Sequence, residues 1–282
     1  MSNDASRYVA IEAEERGSLK KDGFVTAFAS KGAHIRQIDG TSGEDLQRSA
    51  LGNELHFGAK LHFGADDQLF AVAMTPASHA TASLAHDTVQ IRKTEDGSLL
   101  ASYPGRFLAF SPDGKKIALA TTKQPVGHSL VVWDIEAGTR KVLRESTSPH
   151  PHRFGAFTPE GMLVVDVSAN YQSVRLDLET MDPQSGESLS KSQLPAVPWG
   201  DKWSFSPDVS AFARLGRNQA GRPVIEAYDI PTEKLLRRFE FAKPDTDGRP
   251  HIVGDVVMLS NNRLLTTHPQ VIWTCAMPGE GE

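Results

Sequence analysis

The side chains best suited to chemistry in this 282-residue chain are its histidines. Imidazole ligates metals and titrates near neutrality, so a convergent set would make a metal centre or a pH-responsive surface. His34, His56, His79, His86, His128, His150, His152, His251 and His268 fall in or beside polar stretches between apolar runs, whereas His62 lies within an apolar run. His150 and His152 are two residues apart, which in an extended segment places both on one side. A second set could serve hydrolysis: Lys60, His62, Arg106, His152, Arg153, Asp201, Lys202 and Asp255 all sit at or next to the starts of apolar segments. Its charge is mixed, with two carboxylates where a hard divalent cation takes six or more oxygens. On these residues no catalytic group, cofactor site or metal ligand set is assigned.

The remaining short motifs are those of turns. No G-x-S-x-G is present, and Thr41-Ser42-Gly43 and Gln184-Ser185-Gly186 lie in polar turns. No glycine-rich loop follows a strand and opens a helix, which sets nucleotide chemistry aside. Asp245-Thr246-Asp247-Gly248 opens like a calcium loop, but its glycine comes two positions early and no glutamate closes twelve residues. Lys20-Lys21 and Arg237-Arg238 read as solvated strand edges. A formal charge of −5 gives no general attraction to phosphate backbones, so nucleic acid is not an expected partner. Hydrophobic content of 39% with no apolar run of about 18 residues argues against a membrane span. Cys275 is alone, which rules out an internal disulfide framework. The first six residues lack the pattern of a secretory signal, and the expected location is the cytoplasm.

What must position these groups is a repeated unit, clearest at residues 106–143. An apolar strand ends in Phe110, Ser111-Pro112-Asp113-Gly114 turns, strands follow at 116–120 and 130–135, and the turn Glu136-Ala137-Gly138-Thr139 leads to a fourth strand at 141–143. The equivalent first turns begin at Gly64, Ser111, Thr158 and Ser206, which are 47, 47 and 48 residues apart, and a longer step of 54 reaches Ser260. Four short strands and two polar turns per period of 40–50 residues are the pattern of propeller blades. A 282-residue chain holds six such periods. Each sheet alternates apolar and polar positions, as at Val174, Leu176 and Leu178, so it needs a neighbour on its faces.

The central unit resembles a WD-repeat blade, because the Phe-Ser-Pro-Asp-Gly turn at 110–114 and Trp133-Asp134 stand in that family's relative order. At the matching positions elsewhere the chain has Ile38-Asp39, Arg92-Lys93, Leu176-Asp177, Tyr228-Asp229 and Trp273-Thr274, and Gly105-Arg106 lacks the Gly-His that the family often carries. The resemblance implies that Asp87 hydrogen-bonds its hairpin and that inter-blade histidines act as structural donors. The expected architecture is an all-β propeller in a single domain over 1–282, with six blades by the period count: 7–55, 58–104, 105–146, 152–195, 199–244 and 250–282, mostly of four antiparallel strands, with the last incomplete. Residues 7–16 are read as a strand, with further strands at 24–29, 34–38 and 46–50. The expected function is a non-catalytic interaction scaffold that binds a protein or peptide on one face, as a monomer, or as a dimer if the ring is open. Its expected anchors are Tyr171, Trp199, Arg217, Arg222, His150 and His152, since aromatic residues and arginine dominate binding hot spots. The alternative is a propeller hydrolase or lactonase that uses the Lys60 to Asp255 set at a channel mouth.

Overall fold

The computed structural model describes residues 7–21, 24–39, 41–52, 56–64, 68–76, 87–122, 127–147, 152, 154–168, 175–195, 202–218, 223–240, 256–260, 263–268 and 271–276. These residues form antiparallel strands joined by turns, and no helix among them is long and apolar enough to cross a membrane. The chain divides into two compact units, Met1–Phe154 and Gly155–Glu282.

In the first unit, β1 (Arg7–Lys21) and β2 (Phe24–Asp39) make a long hairpin, and β3 (Asp45–Gly52) pairs with the far half of β2. The strands expected at 24–29 and 34–38 are one continuous strand. Lys31 faces Glu15 and Ala33 faces Ala13, so pairing runs straight through Ser30-Lys31-Gly32-Ala33. That stretch has a glycine but no Asn, Asp or Pro to set a turn, and β1 supplies partners along its whole length. Next come β4 (His56–Phe63), β5 (Leu69–Pro76), β6 (Thr88–Lys93) and β7 (Leu99–Pro104), a four-stranded meander that joins β2 through the single pair Ser30 and His56. A second meander follows from β8 (Arg106–Phe110), β9 (Lys116–Thr122), β10 (His128–Asp134) and β11 (Thr139–Ser146).

Strand alternation explains how these layers stack. On β5, Phe70, Val72 and Met74 pack with Ile35 and Leu51 of the β2–β3 layer. The opposite face of β5 presents Ala71, which joins Val89, Ile91 and Tyr103 against Phe107, Ile117 and Leu119 of the next meander. Both faces of the central strands are thus covered, and Ile117–Ala120 are all buried. Each large side chain so buried contributes about 1.5–3 kcal/mol. Polar ties run between layers as well. Gln37 donates Nε2 to the Thr94 carbonyl at 3.0 Å, and Arg92 donates to the carbonyls of Gly97 at 2.8 Å and Ala50 at 3.3 Å.

The second unit repeats the meander with β12 (Gly155–Phe157), β13 (Leu163–Asp166), β14 (Arg175–Met181) and β15 (Ser188–Pro195), then β16 (Lys202–Phe205), β17 (Ala211–Arg217), β18 (Pro223–Asp229) and β19 (Leu235–Glu240). Three strands, β20 (Val256–Ser260), β21 (Arg263–His268) and β22 (Val271–Ala276), form the last described sheet. Ala211, Ala213, Ile225 and Ala227 pack on Val256 and Met258, and the Met258 amide donates to Ser204 Oγ at 3.0 Å.

The first turns owe their shape to serine and aspartate. Ser111 Oγ donates to Asp113 Oδ1 at 2.6 Å and accepts the Lys116 amide at 2.9 Å, while Gly114 takes the left-handed backbone at φ 67°. Ser206 repeats this with Asp208 at 2.6 Å and the Ala211 amide at 2.9 Å. There Val209 occupies the left-handed position at φ 58°, a conformation that a β-branched residue rarely adopts.

Candidate functional site

Three residues of the hydrolytic set, Lys60, His62 and Arg106, lie on β4 and β8 of the first unit. Lys60 and His62 share one side of β4, with Lys60 exposed and His62 partly buried. The His62 ring stacks on Phe107 of β8 with centroids 4.5 Å apart and planes 28° from parallel. Burial, aided by the Lys60 charge, pushes the His62 imidazole down to about 4, so it is neutral at physiological pH. Beside it, Arg106 at the start of β8 meets Asp87 with Nε 3.5 Å from Oδ2, and the Gly105 amide donates to the Asp87 carbonyl at 2.7 Å. Asp87 therefore ties the residue before β6 to the first residues of the next meander.

The second pairing joins two histidines. His128 opens β10 and His152 stands three residues before β12; their rings meet edge to face, with centroids 4.8 Å apart and planes at 86°. Each is 4% exposed, so His152, expected as a partner anchor, is packed inside the unit. Arg217 ends β17 opposite Pro223, and Lys202 opens β16. His34 is partly buried on β2, and His56 and His268 lie at the ends of β4 and β21. Tyr171, Trp199, Arg222, His150, Arg153, Asp201 and Asp255 lie outside the described residues, as do His79, His86, His251 and the 245–248 motif. Among the described residues, no group of three or more His, Cys, Asp or Glu side chains gathers as a metal site.

Trp133 marks how far the likeness to WD blades goes. Its indole packs on Tyr103 with centroids 4.7 Å apart, and the Arg140 guanidinium lies 5.9 Å from the ring centre. Its buried Nε1 has no hydrogen-bond partner, so this tryptophan works through area and ring contacts.

One constellation was not foreseen from the sequence. In the second unit, register places Arg214, Glu226 and Arg238 side by side across β17, β18 and β19. Glu226 Oε1 is 3.2 Å from Arg238, and the Tyr228 hydroxyl donates to Glu226 Oε2 at 2.7 Å. Burial first, and then this carboxylate, hold the Tyr228 phenol well above its usual range. The only available signal was a single charge inside each of two apolar strands, Arg214 in one and Glu226 in the next. Register turns those isolated charges into a row. With donors matched to acceptors, the row ties strands together.

The class these sheets define is the β-propeller, and comparison with solved structures agrees. The chain is similar to the β-propeller domain of Cps50 (Swd1) from Myceliophteria thermophila, at 13% identity and a TM-score of 0.57 over 89% of this chain and 79% of that one. It is also similar to TolB from Acinetobacter baumannii, at 14% identity and a TM-score of 0.52 over 88% of this chain. A third similar structure is the uncharacterized protein lmo1340 of Listeria monocytogenes EGD-e, at 14% identity and a TM-score of 0.50 over 86% of this chain and 70% of that one. The chain spans 60% of the length of the TolB chain. No family model matches the sequence, and no curated protein does. At these identities the likeness defines a fold, WD-repeat-like in its central unit, and leaves function to the site.

Proposed function

We propose that the chain is a six-bladed, WD-repeat-like propeller acting in the cytoplasm as a non-catalytic scaffold for a protein or peptide partner. The observation that carries this reading is the engagement of the candidate chemical groups with one another. Arg106 meets Asp87, His62 stacks on Phe107, and His128 packs on His152, so these side chains serve the fold instead of facing a substrate. Binding then falls to the connections at 74–86, 122–128, 194–202, 216–223 and 243–251, where Trp199, Arg217, Arg222 and Tyr171 are the anchors.

The test is an affinity pull-down from native cells with wild type, Trp199→Ala, Arg222→Ala and His62→Phe, each checked for folding by circular dichroism. A partner retained by wild type and His62→Phe but depleted about tenfold or more by the Trp199 and Arg222 changes supports the scaffold. A stoichiometric metal in the purified protein, lost on replacing His152 or Asp255, overturns it in favour of a hydrolytic centre.

A further inference from the structure

Each four-stranded meander ends on an outer strand that pairs on one side only, β7 and β11 in the first unit and β15 and β19 in the second. An unpaired strand edge is a template for another chain, and proteins guard it with charge or by covering its main-chain groups. Three of these four edges are guarded. β11 carries Arg140, Lys141, Arg144 and Glu145, and β19 carries Arg237, Arg238 and Glu240. β15 carries Lys191, and its Gln193 amide donates to Glu233 Oε1 at 2.7 Å. β7 reads Leu-Leu-Ala-Ser-Tyr-Pro with no charged residue, and Leu99, Leu100 and Ser102 are exposed on it. We propose that β7 is a strand-addition edge, which pairs with an extended segment of the partner that carries acidic side chains. This assignment rests on the scaffold reading for the existence of a partner.

The ladder leaves main-chain groups free to pair. The Gly105 amide donates to the Asp87 carbonyl at 2.7 Å, so by antiparallel alternation Tyr103 and Ala101 aim their amides at β6 while Ser102 turns its amide and carbonyl outward. Pro104 ends the outward row, since it has no N–H to offer. The side chains beside this edge name the chemistry. Tyr103 packs on Trp133 of β10, and Arg140, opposite Trp133 on β11, holds its guanidinium 5.9 Å from the indole centre. Arg140 is exposed, and no carboxylate pairs with it among the described residues. Two positions along on the same side of β11, Val142 is also exposed. The acid that acts on Tyr103, Asp134, already accepts the Ala137 amide at 2.8 Å. A chain laid along β7 therefore lies beside a cation backed by two rings, with an apolar side chain next to it. Main-chain pairing supplies affinity without regard to sequence, and the alternate side chains that face Arg140 supply the preference for aspartate or glutamate.

The probes are two end-blocked octapeptides, one alternating valine with glutamate and the other valine with lysine, titrated into the full chain and followed by amide and indole resonances. The glutamate peptide should give saturable shifts at the Ser102 amide and the Trp133 indole. The lysine peptide should bind about tenfold more weakly, although the net charge of −5 favours it over the surface as a whole. Arg140→Glu should reverse that preference. Ser102→Pro deletes an outward N–H, spares the pairing with β6, and should remove binding of both peptides. No shift at Ser102 and Trp133 with millimolar peptide, equal binding of the two peptides, a preference unchanged in Arg140→Glu, or binding that survives Ser102→Pro would each overturn the proposal. So would Ser102 shifts that follow protein concentration alone, because a second copy would then occupy the edge. If Ser102→Pro does not fold, Arg140→Glu decides, since that side chain is exposed. A pull-down that finds no partner strikes the scaffold reading, whereas a silent peptide titration strikes the β7 edge and leaves the loop anchors standing.

Discussion

Replacing His62 by Phe should make the first unit less sensitive to acid. The stack on Phe107 survives, since one aromatic ring takes the place of another at the 4.5 Å contact. What disappears is a group that binds protons more readily when unfolded, with its folded value at about 4 against 6.5 for the free side chain. A histidine lowered in this way contributes full stability above the unfolded value, and that contribution is lost as pH falls from 6.5 towards 4. At pH 4.5 the loss is about 2.5 kcal/mol, and solvent screening of the partly exposed ring reduces it towards about 2. Carboxylate protonation weakens both proteins in this range, so the informative quantity is the wild-type minus variant difference at pH 7 compared with pH 4.5. Urea unfolding should show that difference changing by about 1 M in midpoint. Parallel pH profiles for the two proteins, or a His62 resonance titrating near 6.5, would refute the reasoning.

Other changes test the ties directly. Gly105 has φ 119°, and a methyl group there would sit 2.7 Å from the Ala120 carbonyl oxygen, so Gly105→Ala should cost about 2–4 kcal/mol in thermal unfolding. Glu226→Ala removes the acceptor shared by Tyr228 and Arg238 and should cost about 3 kcal/mol; Glu226→Gln, which can still accept from Tyr228, should cost about half as much. A fall in the Tyr228 phenol titration in both variants, followed by ultraviolet absorbance, would confirm that the carboxylate holds it up. Ser206→Ala deletes the acceptor of the Ala211 amide and the donor to Asp208, and denaturation should register about 1–2 kcal/mol.

Much of the fold was legible because the meander uses local signals. From 88 to 240, apolar alternation and Ser, Asp and Gly turns put most strands within a few residues of where they lie, with β8 and β9 as the clearest cases. The β1–β2 hairpin was misread at Ser30-Lys31-Gly32-Ala33 because a lone glycine there is overridden by a partner strand long enough to pair through it. The site was less legible, since its chemistry depends on which residues end up opposite one another. Nothing near Glu226 in the chain announces Arg214, and nothing near His128 announces that His152 will be buried against it. The loop residues named as anchors rest on composition alone, because Tyr171, Trp199 and Arg222 have no period to place them.

The stacking of layers on both faces of each central strand also sets how freely this sequence can drift. In β9, Ile117, Ala118, Leu119 and Ala120 are all fully covered, so neither parity of the strand is spare. In the outer strands β11 and β19 most positions face water, and replacements there should be nearly silent. Leu46, Leu100, Leu189 and Leu236 are exposed at the same step of four outer strands, one residue past the turn pairing. A saturation library scored for abundance would therefore return alternating bands of intolerance and tolerance, repeating about every 47 residues in step with the turns. The four leucines would fall inside the tolerant bands, and if they proved intolerant they would mark a surface selected for something other than folding.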